Sequence, residues 1–349
     1  MVKQLTERSQ TPSLQAVAQE AGVATSTVSR FVKGQLQLAE ATEQRVLEAM
    51  AALGYERSTA ARTEIQPRVG AATIAILVPE FDSYYSRFAK LAVAAAEQVG
   101  LLPLVISVGL TSLQASAYLR TPALSDLAGV ISIGTLHNGD VRRFLAKRGI
   151  PLVAIDENAS PANAPTHRIT VDNYSGSRQV VTFLTRLGHS EIAFVSGPRE
   201  HAAVKNRRRG YEDGLAAAGL DNRKQFDLEG VCSEDFGFAA LTSLLSFDGP
   251  RPTAVYAAAD EIAVGLLSAA ADLRLRVPED LTVVGFDDIA VARRSIPTLT
   301  TVRTPIDMLA DAAVSTLFEL IAGERADSAP ETLIPVSLVV RESSGPPSI

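Results

Sequence analysis

"LQAVAQEAGVATSTVSRFVKG", residues 14–34, is too rich in small residues for an ordinary core helix and too regular for a loop. Leu14, Val17, Ala18 and Ala21 recur at helical spacing and give a short helix one apolar face. Gly22 breaks it. A second short helix starts around Ala24 or Thr25, with Val28, Phe31 and Val32 turned inward and Thr25, Ser26, Ser29 and Arg30 turned outward. Two short helices joined by a glycine-containing turn, the second carrying hydrogen-bonding side chains near its N-terminus, fit a DNA major groove. On spacing alone, an ordinary αα-hairpin with a solvated outer face accounts for the same residues equally well.

Working outward, a third helix is expected at about 41–53, with Val46, Leu47, Met50 and Leu53 on one face and Gly54 at its C-terminal end. The following "ERSTAARTEIQPRVGAA" is polar and alanine-rich, punctuated by Pro67 and Gly70, and reads as a linker. From Thr73 the pattern changes to short apolar runs alternating with helical segments. "TIAILV" (73–78), "PLVISV" (103–108), "GVISIG" (129–134) and "PLVAID" (151–156) read as strands, with helices at about 86–99 and 139–148. "RITVD" (168–172), "EIAFVSG" (191–197), "TAVYAAAD" (253–260) and "LTVVGFDD" (281–288) form a second series, with helices near 174–187, 206–218, 234–246 and 261–272. Continuous apolar runs alternating with helices indicate parallel strands covered on both faces. Ligands bind such sheets beyond the carboxyl ends of the strands, so functional residues are expected just after these runs.

A chain of 349 residues exceeds the size at which single cores stop growing, and at 46% apolar residues it has the material for more than one. The net charge of −6 argues against a protein that coats nucleic acid nonspecifically. Cys232 is the only cysteine, so one chain can build neither a disulfide nor a thiolate metal cluster. No run approaches the length of a membrane span and no signal-peptide pattern opens the sequence, so a cytoplasmic protein without membrane contact is expected. Neither a P-loop nor a nucleophile elbow nor a metal-spaced cluster occurs, and no cofactor is called for.

The chain resembles the lactose-repressor/galactose-repressor (LacI/GalR) family of bacterial transcription regulators over nearly its whole length. "VAQEAGVATSTVSRFVKG" with "RVLEAMAALGY" (45–55) is similar to that family's headpiece. "VDNYSGS" (171–177), "LGHSEIAFVSGP" (187–198), "RRRGYEDGL" (207–215), "RVPEDLTVVGFDDI" (276–289) and "LTTVRTP" (299–305) are similar to signatures of its effector-binding core. Their order and spacing are more specific than any one of them. The resemblance implies an all-α helix-turn-helix headpiece (1–57), a hinge (58–71) and a periplasmic-binding-protein-like α/β core (72–349). The core is expected to hold two doubly wound parallel-sheet subdomains divided near 165–172, with the chain recrossing near 288–300 and 320–330. It further implies a homodimer on palindromic double-stranded operator DNA, acting as a repressor. A small, carbohydrate-like effector between the core subdomains would control operator affinity.

For the DNA face, the resemblance points to Ser13, Thr25, Ser26, Ser29, Arg30, Lys33, Arg57 and Arg62. Arg30 can hold guanine bidentately and is expected to carry most of the specificity; its alternative is a phosphate contact. Ser13 fits a helix cap. Ala24 stands where the family has a serine cap, so Thr25 is either cap or base reader. For the effector, the resemblance points to Ser83, Tyr84, Tyr85, Asp156, Arg207, Asp260 and Asp287. Of Arg207, Arg208 and Arg209, at most one or two can face a cleft, because successive helical residues point about 100° apart. Asp288 reads as a loop-stabilising carboxylate and His189 as a turn residue. Two departures stand out. Ala259 replaces an asparagine, which puts the sugar assignment in doubt, and Glu64 stands where the hinge helix carries a leucine wedge, unless Ile65 takes that place. A solute-binding protein and an enzyme using Asp287, Asp288 and His189 are the alternative functions.

Overall fold

The computed structural model describes residues 14–24, 27–28, 40–52, 72–109, 117–124, 126–134, 139–156, 166–324 and 331–348. Two compact units divide at Arg68 and Val69. In the first, α1 (Leu14–Ala21) and α2 (Glu40–Ala52) bury Val17, Ala18, Ala21, Val46, Ala49 and Met50 in one cluster with Val28. Gly22 follows α1 at φ 64°, a left-handed turn that glycine adopts without a Cβ penalty, and Val23 N–H closes on the Ala18 carbonyl.

The second unit contains two six-stranded sheets. Sheet 1 is built from β1 (Thr73–Val78), β2 (Leu102–Ser107), β3 (Gly129–Ile133), β4 (Leu152–Ile155), β5 (His167–Val171) and, from far along the chain, β11 (Glu331–Ile334). Its order is β11-β5-β4-β3-β1-β2, all parallel. Helices α3 (Ser83–Gln98) and α9 (Ile306–Ala322) cover one face through Phe88, Ala92, Ile306, Leu309, Ala313 and Leu317, and α4 (Gly139–Lys147) covers the other through Val141 and Leu145. Sheet 2 is built from β6 (Ile192–Ser196), β7 (Asp227–Glu229), β8 (Ala254–Ala257), β9 (Thr282–Asp287), β10 (Thr300–Arg303) and β12 (Ser337–Val339). Its order is β12-β10-β9-β8-β6-β7, and only β12 runs antiparallel to its neighbour. Helices α5 (Asn173–Arg186) and α6 (Ala202–Ala217) bury Val180, Leu184, Tyr211 and Leu215 on one face, and α7 (Glu234–Leu245) and α8 (Asp260–Asp272) bury Leu241, Leu244, Ile262 and Leu266 on the other. Each of the Val, Leu, Ile and Phe side chains among them contributes about 1.5–3 kcal/mol when removed from water, and both faces of both sheets are used this way.

The chain passes between the sheets three times. The first passage runs from β5 into α5. The second lies between Arg303 and Ile306, and the third between Ile334 and Ser337, later than the expected 288–300 and 320–330. The reason is local. β10 is a four-residue strand that completes sheet 2 before the chain leaves it, and β11 is an edge strand of sheet 1 that precedes the return.

Candidate functional site

Residues that follow or end parallel strands β1, β3 and β4 of sheet 1 and β6, β7, β8 and β9 of sheet 2 line one cleft. Glu80 and Asp82 follow β1, Gly134 follows β3, and Asp156 follows β4. From sheet 2, Pro198 follows β6, Cys232 follows β7, Ala258 and Ala259 follow β8, and Asp287 ends β9. The first turns of α3 and α6 add Tyr84, Tyr85, Ala202 and Val204. The enclosed part of the cleft measures about 110 Å³ and widens into an open mouth.

Arg207 and Asp287 form its charged floor. The Arg207 guanidinium donates from Nη2 to Asp287 Oδ1 at 2.9 Å, from Nε to Asn173 Oδ1 at 2.7 Å and from Nη1 to the Ala258 carbonyl, and it stacks 3.7 Å over the Phe286 ring. The two side chains are 7% and 9% exposed, so the pair is buried. Burial alone would lower the arginine's pKa, but the adjacent carboxylate outweighs it and holds it above the ordinary value. Asp287 has φ 113° and Asp156 φ 47°, left-handed conformations that cost about 1–3 kcal/mol each and recur where a side chain must be aimed.

Asp156 Oδ1 accepts from Val171 N–H at 2.8 Å and from Asn173 Nδ2 at 3.3 Å. Burial raises its pKa to about 7, against the lowering effect of those bonds and of Arg207. Asn173 therefore joins sheet 1 to sheet 2, because its amide donates to Asp156 and accepts from Arg207. Tyr84 and Tyr85 meet edge to face at 5.3 Å, and burial holds both phenols well above their usual pKa. Asp82 caps α3 by accepting from Tyr85 N–H at 2.6 Å, and burial lifts its carboxyl to about 6. Glu261 is lifted to about 8 by burial and by the neighbouring Asp82 and Asp287 charges; its Oε1 is buried and has no hydrogen-bond partner among the described residues.

Of the effector residues expected from the sequence, Tyr84, Tyr85, Asp156, Arg207 and Asp287 meet in this cleft, whereas Ser83 and Asp260 do not line it. Ser83 is exposed at the start of α3. Asp260 is fully buried and turned inward, accepting from Thr301 Oγ1 and, at 2.9 Å, from Ile289 N–H; burial raises its pKa well above normal. It ties α8 to sheet 2, and the next residue, Glu261, takes the cleft position. Arg208 turns away to Asp227 and Ser196 Oγ, and Arg209 lies 4.7 Å from the Tyr174 ring centre, so only the first of the three arginines reaches the cleft.

Asp288 accepts from Arg293, Arg303 and Arg341, the loop-fixing role read for it. His189 bonds Thr253 Oγ1 and the Gly345 carbonyl, both at 2.9 Å, and anchors the C-terminal tail. Glu80, Asp82, Glu261 and Asn173 were missed by sequence reasoning. A strand-end position signals the first two, whereas nothing short of the fold brings Asn173 against Arg207. Ser13, Thr25, Ser26, Ser29, Arg30, Lys33, Arg57 and Arg62 lie outside the described residues, as do Glu64 and Ile65.

Two sequence models match the chain: "Bacterial regulatory proteins, lacI family" over residues 13–58 and "Periplasmic binding protein-like domain" over 181–344. The HTH-type transcriptional regulator CelR of Thermobifida fusca is 30% identical, covering 97% of this chain and 99% of its own length. The HTH-type transcriptional regulator MalR of Streptomyces coelicolor is 33% identical, covering 96% and 97%. Among solved structures, the complex of CelR with cellobiose superposes with a TM-score of 0.71 at 29% identity, over 95% of this chain and 99% of that one. The lac repressor dimer bound to operator and an anti-inducer superposes with a TM-score of 0.70 at 26% identity, over 96% and 100%. With a helix-turn-helix match ahead of a two-sheet core and full-length relatives of this similarity, the chain belongs to the lacI family of DNA-binding transcriptional regulators.

Proposed function

We propose that this regulator is a homodimeric, cytoplasmic repressor without catalytic activity, whose grip on a palindromic operator is set by a small carbohydrate-like ligand in the core cleft. The observation that carries the ligand half of this reading is the polar chain across the cleft. Asp156 at the end of β4, Asn173 at the first passage, Arg207 on α6, Asp287 at the end of β9 and Thr304 at the second passage are linked in sequence by hydrogen bonds. Anything that hydrogen-bonds Asp156 or the remaining Arg207 N–H acts on both subdomains and on two of the three segments that join them. Hydroxyl groups suit these partners, since carboxylates accept from them, and the Tyr84–Tyr85 pair offers a ring face to a sugar's C–H surface. Only about 1–3 kcal/mol of differential affinity between two subdomain arrangements is needed to switch operator binding several-fold or more.

Base reading is assigned to Thr25, Ser26 and Arg30, with Ser13, Ser29, Lys33, Arg57 and Arg62 completing the DNA-binding face. A single headpiece makes a small contact, and a two-fold dimer reads two half-sites. Among the described residues no helix is long and apolar enough to cross a membrane. The test is Arg30→Ala, titrated against single-base-pair variants of the operator. The expected result is about 1–3 kcal/mol lost and preference relaxed at one base pair per half-site. A uniform loss across all sequences, with a shallower salt dependence, reassigns Arg30 to phosphate.

A further inference from the structure

We propose that the cleft selects an effector that brings hydrogen-bond donors and no negative charge, a hydroxyl- or ammonium-bearing molecule rather than a phosphorylated one, with Glu261 accepting one of those donors. This rests on the cleft being the effector site. Five carboxyl groups line it, Glu80, Asp82 and Asp156 from the sheet 1 side and Glu261 and Asp287 from the sheet 2 side; the basic side chains in the lining are Arg207 and His201. Arg207 is already matched: Asp287 holds both of its Nη atoms, Asn173 takes Nε, and the Ala258 carbonyl accepts from Nη1. One N–H of the five is left for a ligand, and its charge is compensated.

The sequence extends the point beyond the lining. Among the described residues, the segments that leave the carboxyl ends of the strands lining the cleft are 79–82, 134, 156, 197–201, 230–233, 258–259 and 288–289, and together they contain no lysine and one arginine, Arg199. Arg199 is paired with Glu229 and Asp227. The other source of positive potential is the N-termini of three helices. Those of α3 and α8 are met by Asp82 and by Asp260 with Glu261. Helix α6 alone has neither a side-chain cap bond nor an acidic first turn. Its partial charge of about half a unit does not offset five carboxyl groups, though its N–H groups can serve a neutral hydroxyl oxygen. Glu261 Oε1 is the complementary group, an acceptor buried without a partner among the described residues. Ala259, beside it, carries no amide that would compete for the same donor.

The test separates a bacterial metabolite extract at pH 7.5 into a pool retained by an anion exchanger, a pool retained by a cation exchanger, and a pool retained by neither. Each is titrated into the full chain on an operator duplex selected by the chain itself, with affinity read by fluorescence anisotropy. A change of about five-fold or more with the unretained pool, or with the cation-exchanger pool, is expected, and which of them acts distinguishes hydroxyl from ammonium recognition. A response confined to the anion-exchanger pool overturns the inference while leaving ligand gating intact. Silence with all three pools overturns ligand gating, and the inference with it. For Glu261, the variant Glu261→Ala, checked for an intact unfolding transition, is expected to raise the midpoint of the active pool about three- to ten-fold, the cost of one hydrogen bond. An unchanged midpoint removes Glu261 from recognition.

Discussion

Removing either member of the Arg207–Asp287 pair is a stability experiment before it is a ligand experiment. Arg207→Ala deletes the donors to Asn173, to the Ala258 carbonyl and to both Asp287 oxygens, and it empties the space over Phe286. What remains is a carboxylate side chain 9% exposed whose other bonds are the 3.5 Å contact from Thr304 Oγ1 and its own backbone pairing. An uncompensated buried charge costs about 3–5 kcal/mol. In a domain of this size about 2 °C of melting temperature accompanies each kcal/mol, so a fall of about 6–10 °C is expected. Asp287→Ala should cost a similar amount, because it strands the guanidinium. The double variant should cost clearly less than the sum, with a coupling of about 2–3 kcal/mol, since neither charge is then left alone. Differential scanning calorimetry on the four proteins of the cycle measures this. Single variants within about 1 kcal/mol of the parent, or strictly additive effects, would refute the claim that the pair is a buried mutual neutralisation.

Three further outcomes follow from the same geometry. Asp288→Asn should destabilise by about 3 kcal/mol above pH 4 because Arg293, Arg303 and Arg341 lose their shared negative charge and one of its two acceptor oxygens. The arginines hold that carboxyl at about 2, against burial and below its unfolded value, so the parent loses this stability as pH falls from about 4 towards 2; an equal difference at pH 2 and pH 7 contradicts it. Asp156→Asn should do the opposite: with a folded pKa of about 7, the parent is progressively destabilised as pH rises from about 4 to 7, so the variant's higher melting temperature should be absent below pH 4 and level off above pH 7. A pH-independent difference in melting temperature refutes that assignment. Gly265→Ala should destabilise by about 1–3 kcal/mol despite its better helix propensity, because a Cβ there lies 1.9 Å from the Glu234 carbonyl oxygen where α7 and α8 touch; a gain in urea midpoint would show that the helices part easily.

Much of this architecture is legible locally, and what is not has a physical reason. Strands β1, β3, β4, β6, β8 and β9 are buried on both faces, so each reads as an unbroken apolar run. Helix α6 starts at Ala202, four residues before the expected 206, because His201 makes no side-chain cap bond and the first turn is only weakly apolar. Helix α9 has apolar spacing at Ile306, Leu309, Ala313 and Leu317 as clear as that of α3, but its return to sheet 1, against strands more than 130 residues earlier, is a long-range fact that no local period encodes. At the cleft, the strand-end rule points to Asp156 and Asp287. It does not separate Asp260 from Glu261, since adjacent residues at a helix start point about 100° apart and only the position of Thr301 and Ile289 decides which turns inward.

The most direct test of the central claim is a selection of duplexes from a random pool by the full chain, followed by sequencing of the bound DNA. A dimeric operator reader predicts enrichment of one two-fold symmetric site, its half-sites centred about one helical turn apart or a multiple of it. The same selection with Arg30→Ala should lose preference at one base pair in each half. No enriched sequence, or a single asymmetric element bound by one chain, would contradict the account.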